Sequence, residues 1–157
     1  MDTSDIVQLI SLFVLILLSA FFSSAETALM TVNKIRLRSL VENGDRRAER
    51  VLKITEDSGK LLSAILIGNN IVNISASSIA TVLATKLWGS AGAGIATGIL
   101  TFLILIFGEI SPKTLATIHA EKLALLYSGP ISFLMKVLTP VIFIINKFII
   151  TIINLII

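Results

Sequence analysis

Uncharged, apolar runs long enough for membrane helices alternate along the chain with short polar segments. The first extends from Ile6 to Ala25, the second from Leu61 to Thr85 and the third from Gly89 to Phe107. A helix that crosses a bilayer needs about 20 predominantly apolar residues. A membrane barrel would show ten-residue segments of alternating hydrophobicity instead, and the sequence has none. The pattern predicts an all-α integral membrane protein with three transmembrane helices per protomer.

The segment between the first two runs is the most polar part of the chain. Apolar residues recur in it at roughly helical spacing, and Asn43-Gly44-Asp45 interrupts them. Glycine is a typical helix stop, and aspartate is a typical N-cap. We therefore expect a cytoplasmic hairpin of two short helices lying against the inner headgroups.

The C-terminal segment from Ile131 to Ile157 is apolar, but Lys136, Pro140 and Asn146 are among the residues that interrupt it. Gly129-Pro130 precedes it and is expected to break the helix. The length of the segment would permit a fourth span. The interruptions favour a kinked, amphipathic juxtamembrane belt in the inner leaflet.

These patterns predict a single transmembrane domain with five parts. The parts are the first span in residues 1–33, the helical hairpin in 34–60, the second span in 61–87, the third span in 90–112 and the juxtamembrane belt in 113–157. Trp88 marks the outer turn between the second and third spans, since tryptophan is enriched at membrane interfaces.

Composition supports a membrane protein and excludes several function classes. Of the 157 residues, 55% are hydrophobic and 15% are charged, whereas soluble domains are about 25% charged. The absence of cysteine excludes disulfides, and together with the single histidine it argues against a zinc or copper site. The sequence contains no catalytic triad, P-loop or dinucleotide fingerprint, so we do not expect an enzyme.

The distribution of charge predicts the orientation in the membrane. Eight of the 13 Lys and Arg residues lie between Asn33 and Lys60, directly after the first run, while Asp2 and Asp5 precede that run. By the positive-inside rule the N-terminus is outside, and after three spans the C-terminus is cytoplasmic. This charge bias is typical of a protein that contacts membrane lipid, and it does not indicate nucleic-acid binding.

The first span carries polar residues toward its inner half. Ser23 and Glu26 are three residues apart and share a helix face. Serines also serve close helix packing, whereas a carboxylate on a lipid-facing surface is strongly disfavoured. Glu26 therefore remains open as an ion ligand, a proton carrier or a structural partner.

The second span carries three asparagines beside Gly68. Asn69 and Asn73 share a face, Ser77 continues that stripe, and Asn70 lies about 100° around the helix. Amide oxygens can bind hard cations or form hydrogen bonds between helices. Three amides together favour a role in ligand binding or in an ion pathway.

The third span ends in Gly108-Glu109-Ile110-Ser111-Pro112-Lys113. Pro112 has no N–H and cannot donate to the carbonyl of Gly108. The segment thus offers a carboxylate and a backbone oxygen, the ligands of a hard cation. The alternative is a kinked helix end with Glu109 extending into the headgroups. Lys113 is four residues from Glu109, and an ion pair between them would compete with a cation.

All three polar segments fall in the inner halves of their spans, so we expect them to meet at one height in the bundle. Ligand sets of oxygen alone favour Mg²⁺ or Ca²⁺ over transition metals. In the third span Gly94 and Gly98 form a GxxxG pair, which is consistent either with a dimer contact or with ordinary helix packing.

Three stretches in order resemble the signatures of one family of membrane proteins. FFSSAETA from Phe21 to Ala28, IGNNIVN from Ile67 to Asn73 and GEISPK from Gly108 to Lys113 look like those of the transmembrane domain of CorC/CNNM magnesium transporters. The resemblance implies a homodimer of three-span protomers in the plasma membrane. It also implies Mg²⁺ binding from the cytoplasm and Mg²⁺ export coupled to Na⁺ entry.

The resemblance also assigns residues. It places metal binding on Ser23, on Asn73 with support from Asn69 and Asn70, and on Glu109 with the Gly108 carbonyl; Glu26, Ser77 and Lys113 are candidates for the ion pathway. Members of the family usually continue into cytoplasmic CBS domains, which bind ATP and which this sequence does not include. Two other functions remain open: a non-transporting membrane anchor or sensor, and an exporter of another divalent cation.

Overall fold

The computed structural model describes residues 2–157, and this part of the chain is helical almost throughout, without strands. Its elements are α1 (Thr3–Thr31), α2 (Lys34–Glu42), α3 (Arg46–Glu56), α4 (Ser58–Trp88), α5 (Ser90–Leu103), a π-helical segment (Ile104–Ile110), α6 (Ser111–Ile118) and α7 (Ala120–Ile156). The predicted all-α membrane architecture is confirmed. Four helical stretches of the described chain have the length and apolar composition of a membrane span, against three predicted.

The two helices of the predicted hairpin are α2 and α3. Gly44 has φ +89°, the left-handed conformation that ends α2, and the Asp45 carboxylate caps α3 by accepting the backbone N–H of Arg47 at 2.9 Å. Leu37 and Val51 are fully buried. The hairpin therefore folds on an apolar seam of its own while its basic residues remain exposed.

The core of the bundle lies beside this hairpin. The largest fully buried apolar side chains are those of Leu29, Leu37, Val51, Leu61, Ile65 and Ile131. They come from α1, α2, α3, α4 and α7, so five helices meet at the end of the bundle that carries the basic segment. Burying each such side chain stabilises a protein by about 1.5–3 kcal/mol. Many large apolar side chains elsewhere are exposed, as expected for surfaces that face lipid.

The C-terminal segment differs from the prediction. The expected break at Gly129-Pro130 is wrong, because α7 continues through Pro130 and Pro140 as one helix of 37 residues. Proline is tolerated in membrane helices where neighbouring helices surround the backbone, and α7 packs against α1, α3 and α4. Beyond Ile142 every residue of α7 is exposed.

Candidate ion-binding site

The seam between α1 and α4 carries the polar residues of the first two motifs. The two helices are antiparallel, because the start of α1 and the end of α4 meet: Lys86 Nζ lies 2.8 Å from Asp5 Oδ1. Near the middle of the seam Ser19 Oγ donates to Asn69 Oδ1 at 3.5 Å, a long hydrogen bond. Ser19 is fully buried. This contact fixes the register of the two helices.

Small residues, glycine and alanine, allow α1 and α4 to approach each other closely along the seam. A Cβ atom on Gly68 would lie 2.6 Å from the Phe22 ring, so no larger residue fits there without a shift. Ala25 and Ala28 on α1 are fully buried. The polar groups along the seam are therefore withdrawn from solvent, and each needs a partner inside the bundle.

Two oxygens on the seam have no such partner. Ser23 Oγ and Asn73 Oδ1 are both buried and form no hydrogen bond within the described residues; Gln8 Oε1, near the start of α1, is the third such atom. An unsatisfied buried polar group costs about 1–3 kcal/mol, and native structures contain few of them. By contrast, the neighbouring Ser24 Oγ donates to Ala20 O at 2.7 Å and lies 3.2 Å from Tyr127 Oη. The unpartnered pair thus points to a ligand that is not part of the chain.

The backbone of the third motif lies at the same height as Ser19. A Cβ atom on Gly108 would be 2.9 Å from Ser19 Oγ, so only glycine permits this approach. Gly108 and Glu109 belong to the π-helical segment, in which the backbone N–H of Ser111 donates to Ile106 O, five residues back. Such π turns are frequent at functional sites. The expected break at Pro112 does not occur, because the π-helical segment passes directly into α6.

Glu109 supplies the only carboxylate of the third motif. Its side chain is partly buried, as is that of Lys113. The four ion pairs within residues 2–157 include neither residue, so no ion pair between Glu109 and Lys113 competes with a cation there. The described residues also contain no group of three or more His, Cys, Asp or Glu side chains that could hold a metal ion. A cation bound here would be held mainly by neutral oxygens around one carboxylate.

The register of the seam spreads the predicted ligands over different heights. Ser23 lies one turn closer to the α2–α3 hairpin than Ser19, and Asn73 lies one turn farther from it than Asn69. At a rise of 1.5 Å per residue, their Cα atoms differ in height by roughly 12 Å. Ser23 and Asn73 therefore flank the Ser19–Asn69 contact. Because side chains on a helix lean toward its N-terminus, both side chains lean toward this contact from opposite sides, and their oxygens are closer in height than their Cα atoms.

The other predicted residues lie at the margin of the seam. Asn70 and Ser77 are exposed, whereas Glu26 is partly buried on α1. Sequence reasoning missed Ser19, which is fully buried and contacts both Asn69 and Gly108. The signal for Ser19 was its spacing, since it lies one helical turn before Ser23 on the same face.

Comparison with known proteins gives consistent matches over most of the chain. A family model described as the cyclin M transmembrane N-terminal domain matches residues 9–156. A UPF0053 protein of Haemophilus influenzae is 47% identical over 148 residues, which are 92% of this chain and 35% of that protein. The UPF0053 inner membrane protein YfjD of Escherichia coli is 43% identical over 129 residues, which are 82% of this chain and 30% of that protein.

A plant protein also matches. A chloroplastic DUF21 domain-containing protein of Arabidopsis thaliana is 40% identical over 129 residues, which are 82% of this chain and 19% of that protein. The chain thus spans about a third or less of the length of these relatives. The matched part in each case is a fraction of a larger protein.

Proposed function

The chain belongs to the family of cyclin M transmembrane N-terminal domains, and from that premise we propose that it is the ion-translocating domain of a Mg²⁺ transporter. The complete protein would export Mg²⁺ from the cytoplasm in exchange for Na⁺. It would act as a homodimer in the plasma membrane, with the N-terminus outside, the C-terminus in the cytoplasm and CBS domains elsewhere in the same polypeptide.

The observation that supports this proposal is the pair of unpartnered buried oxygens, Ser23 Oγ and Asn73 Oδ1. Both are hard, neutral oxygen donors, which suit Mg²⁺ or Ca²⁺. Bound cations would satisfy them and remove the unfavourable energy of burying them without partners.

The heights of the residues suggest how a cation moves along the seam. Ser23 marks an inner position and Asn73 an outer one, on the two sides of the contact between Ser19 and Asn69. Gly108 lies at the height of that contact, and the Cα of the adjacent Glu109, which carries the carboxylate, differs from it in height by only about 1.5 Å. In this arrangement Glu109 attracts the ion to the middle of the seam, and the neutral oxygens hold it weakly enough to release it.

Two alternatives make different predictions. A non-transporting anchor or sensor would use the polar residues only to pack helices, and Mg²⁺ would then have no saturable effect on stability. An exporter of another divalent cation would show the same saturable effect with Ca²⁺ or Co²⁺ at lower concentration than with Mg²⁺.

Titration of the full-length purified protein with Mg²⁺, with and without Na⁺, separates these functions. We expect a saturable rise in melting temperature that Na⁺ shifts to higher Mg²⁺ concentration. Glu109→Gln keeps the size of the side chain and removes its charge, so it should abolish the rise while the melting temperature in EDTA stays close to that of the wild type. An unchanged titration in Glu109→Gln would refute the assignment of Glu109, and an absent effect in the wild type would favour the anchor.

A further inference from the structure

A strongly basic groove lies between α3 and α7, away from the seam. Its cavity has a volume of about 430 Å³. The charged residues that line it are Arg46, Glu49, Arg50, Lys53, Asp57, Lys60 and Lys136. Five cations therefore face two carboxylates in one concave surface, and the groove is suited to an anion.

The chain itself does not neutralise these cations. The ion pairs within residues 2–157 join Arg36 to Glu121, Arg47 to Asp45, and Lys86 to Asp2 and Asp5, so none involves a cation of the groove. The two carboxylates, Glu49 and Asp57, offset only part of this charge, and Asp57 Oδ1 also caps α4 by accepting the backbone N–H of Lys60 at 3.1 Å. The positive charge of the groove is left for an external partner.

The groove continues into a second cavity along α7. This second cavity, of about 350 Å³, shares Asp57 and Lys60 with the first and is lined further along by Ile142 and Phe143. Beyond it lies the exposed apolar part of α7. A binding surface with a cationic end and an apolar end fits a molecule with an anionic head and a hydrocarbon tail.

The position of the groove in the membrane agrees with such an occupant. The hairpin carries the main cluster of positive charge, which the positive-inside rule places at the cytoplasmic headgroups. A cation close to an anionic leaflet contributes about 1 kcal/mol to membrane binding. Here five of them are gathered around one cavity.

We propose that the groove between α3 and α7 binds one anionic phospholipid, with its phosphate headgroup among Arg50, Lys53 and Lys136 and an acyl chain along Ile142 and Phe143. This site is separate from the α1–α4 seam, and the proposal does not depend on ion transport. The lipid would fasten the hairpin to α7 at the inner leaflet.

The test uses the full-length protein in detergent and native mass spectrometry with dioctanoyl phosphatidylglycerol or dioctanoyl phosphatidylcholine. We expect phosphatidylglycerol to bind more tightly. Arg50→Gln and Lys136→Gln should each weaken that binding roughly fivefold, the factor that corresponds to one charge near an anionic headgroup. Phe143→Asn should weaken it as well, because the acyl chain loses an apolar contact. Lys136→Gln changes an exposed residue, so it keeps the test usable if another variant does not fold.

The matched controls are Arg38→Gln and Arg47→Gln, which remove exposed cations of the same hairpin that do not line the cavity. Their lipid affinity should remain that of the wild type. An equal loss in the controls would show that diffuse charge, not the groove, binds lipid, and equal binding of the two lipids would also overturn the proposal. Displacement of the lipid by inorganic phosphate at equal concentration would identify a free anion as the ligand instead.

Discussion

Ser19 Oγ lies 2.9 Å from the point that a Cβ atom on Gly108 would occupy, and Ser19 Cβ lies 3.3 Å from it. The first distance is shorter than real side chains show, so the third motif has room for glycine alone. This contact joins the π-helical segment to α1 at the height of Asn69.

Gly108→Ala should therefore destabilise the protein. Forcing an extra methyl group into a packed interior costs about 1–3 kcal/mol, which thermal unfolding of the purified protein would detect. Ser19→Gly removes the two atoms that the methyl group would meet most closely, so the double variant should be less destabilised than the two single losses together predict. Gly98→Ala is the control, since a Cβ there meets nothing within 4 Å. Equal effects of Gly108→Ala and Gly98→Ala would contradict the close approach.

Ser23→Ala should leave stability unchanged or raise it slightly when Mg²⁺ is absent, because the variant removes an unpartnered buried hydroxyl. When Mg²⁺ is present, the wild type should be more stable than Ser23→Ala. A ligand at 100 times its dissociation constant stabilises the wild type by about 2.7 kcal/mol, and the variant should gain less.

Ser24→Ala is the matched control for Ser23→Ala. Ser24 is buried beside Ser23, but its hydroxyl has partners in Ala20 O and Tyr127 Oη. Its loss should lower the melting temperature in EDTA and leave the Mg²⁺-dependent increase intact. Identical behaviour of the two serine variants would remove the argument from the unpartnered hydroxyl.

Lys86 connects the start of α1 to the end of α4, with its ammonium 3.2 Å from Asp2 and 2.8 Å from Asp5. The backbone N–H of Asp5, followed by the Lys86 ammonium, lowers the pKa of the Asp2 carboxyl from its ordinary value of 3.8. A lowered folded-state pKa contributes stability that is present above pH 3.8 and is lost as the pH falls through the folded pKa.

Lys86→Met should therefore lower the melting temperature at pH 7, because the buried Asp5 carboxylate loses its ion pair. The variant should also lose less stability than the wild type below pH 3.8, because Lys86 no longer lowers the pKa of Asp2. The lowering of this pKa by the backbone N–H of Asp5 should remain. Lys122→Met, which changes an exposed lysine outside the ion pairs of the described chain, should leave both quantities unchanged. Melting curves between pH 3 and pH 7 would measure the loss of stability in acid for both proteins. The same loss in Lys86→Met as in the wild type would contradict the stabilising contact between Lys86 and Asp2.

The three glycines at the start of α5 differ in what surrounds them. A Cβ on Gly92 would lie 2.9 Å from Ala84 O, a backbone atom, whereas one on Gly94 or Gly98 meets nothing within 4 Å in the protomer. Gly92→Leu should therefore unfold the protomer. Gly94→Leu and Gly98→Leu should leave it folded and reduce the dimer fraction in detergent, if these glycines face the second copy. Light scattering that shows an unchanged dimer in both variants would place the dimer contact elsewhere.

The fold was largely predictable because its signals are local. The uncharged runs gave three helices, and Gly44 with Asp45 gave the turn between α2 and α3. The α7 helix was not predicted, because proline rules from soluble proteins treat Pro130 and Pro140 as breaks. In an apolar helix packed against neighbours each proline removes only one hydrogen bond.

The candidate site was predictable in its residue types and not in its geometry. Helical spacing shows that Asn69 and Asn73 share a face, but the height of Asn73 relative to Ser23 depends on the register between α1 and α4. That register is fixed by tertiary contacts such as the close approach of Phe22 to Gly68. The π turn that contains Gly108 likewise has no recognisable local pattern, and it decides which backbone atoms face Ser19.

The register leads to a last prediction about Ser23 and Asn73. Two ligands of the same ion would lose affinity non-additively when both are removed, whereas ligands at separate positions lose it additively. The roughly 12 Å difference in height between the two residues favours separate positions. The loss of Mg²⁺ binding free energy in the double variant Ser23→Ala/Asn73→Ala should then equal the sum of the losses in the two single variants.

The control cycle combines Ser24→Ala with Asn70→Ala, because Ser24 has hydrogen-bond partners and Asn70 is exposed. Neither change should alter Mg²⁺ affinity. A coupling of more than about 1 kcal/mol between Ser23 and Asn73 would mean that both oxygens contact one ion. In that case the two side chains, which lean toward the contact between Ser19 and Asn69 from opposite sides, would close on one ion at that height.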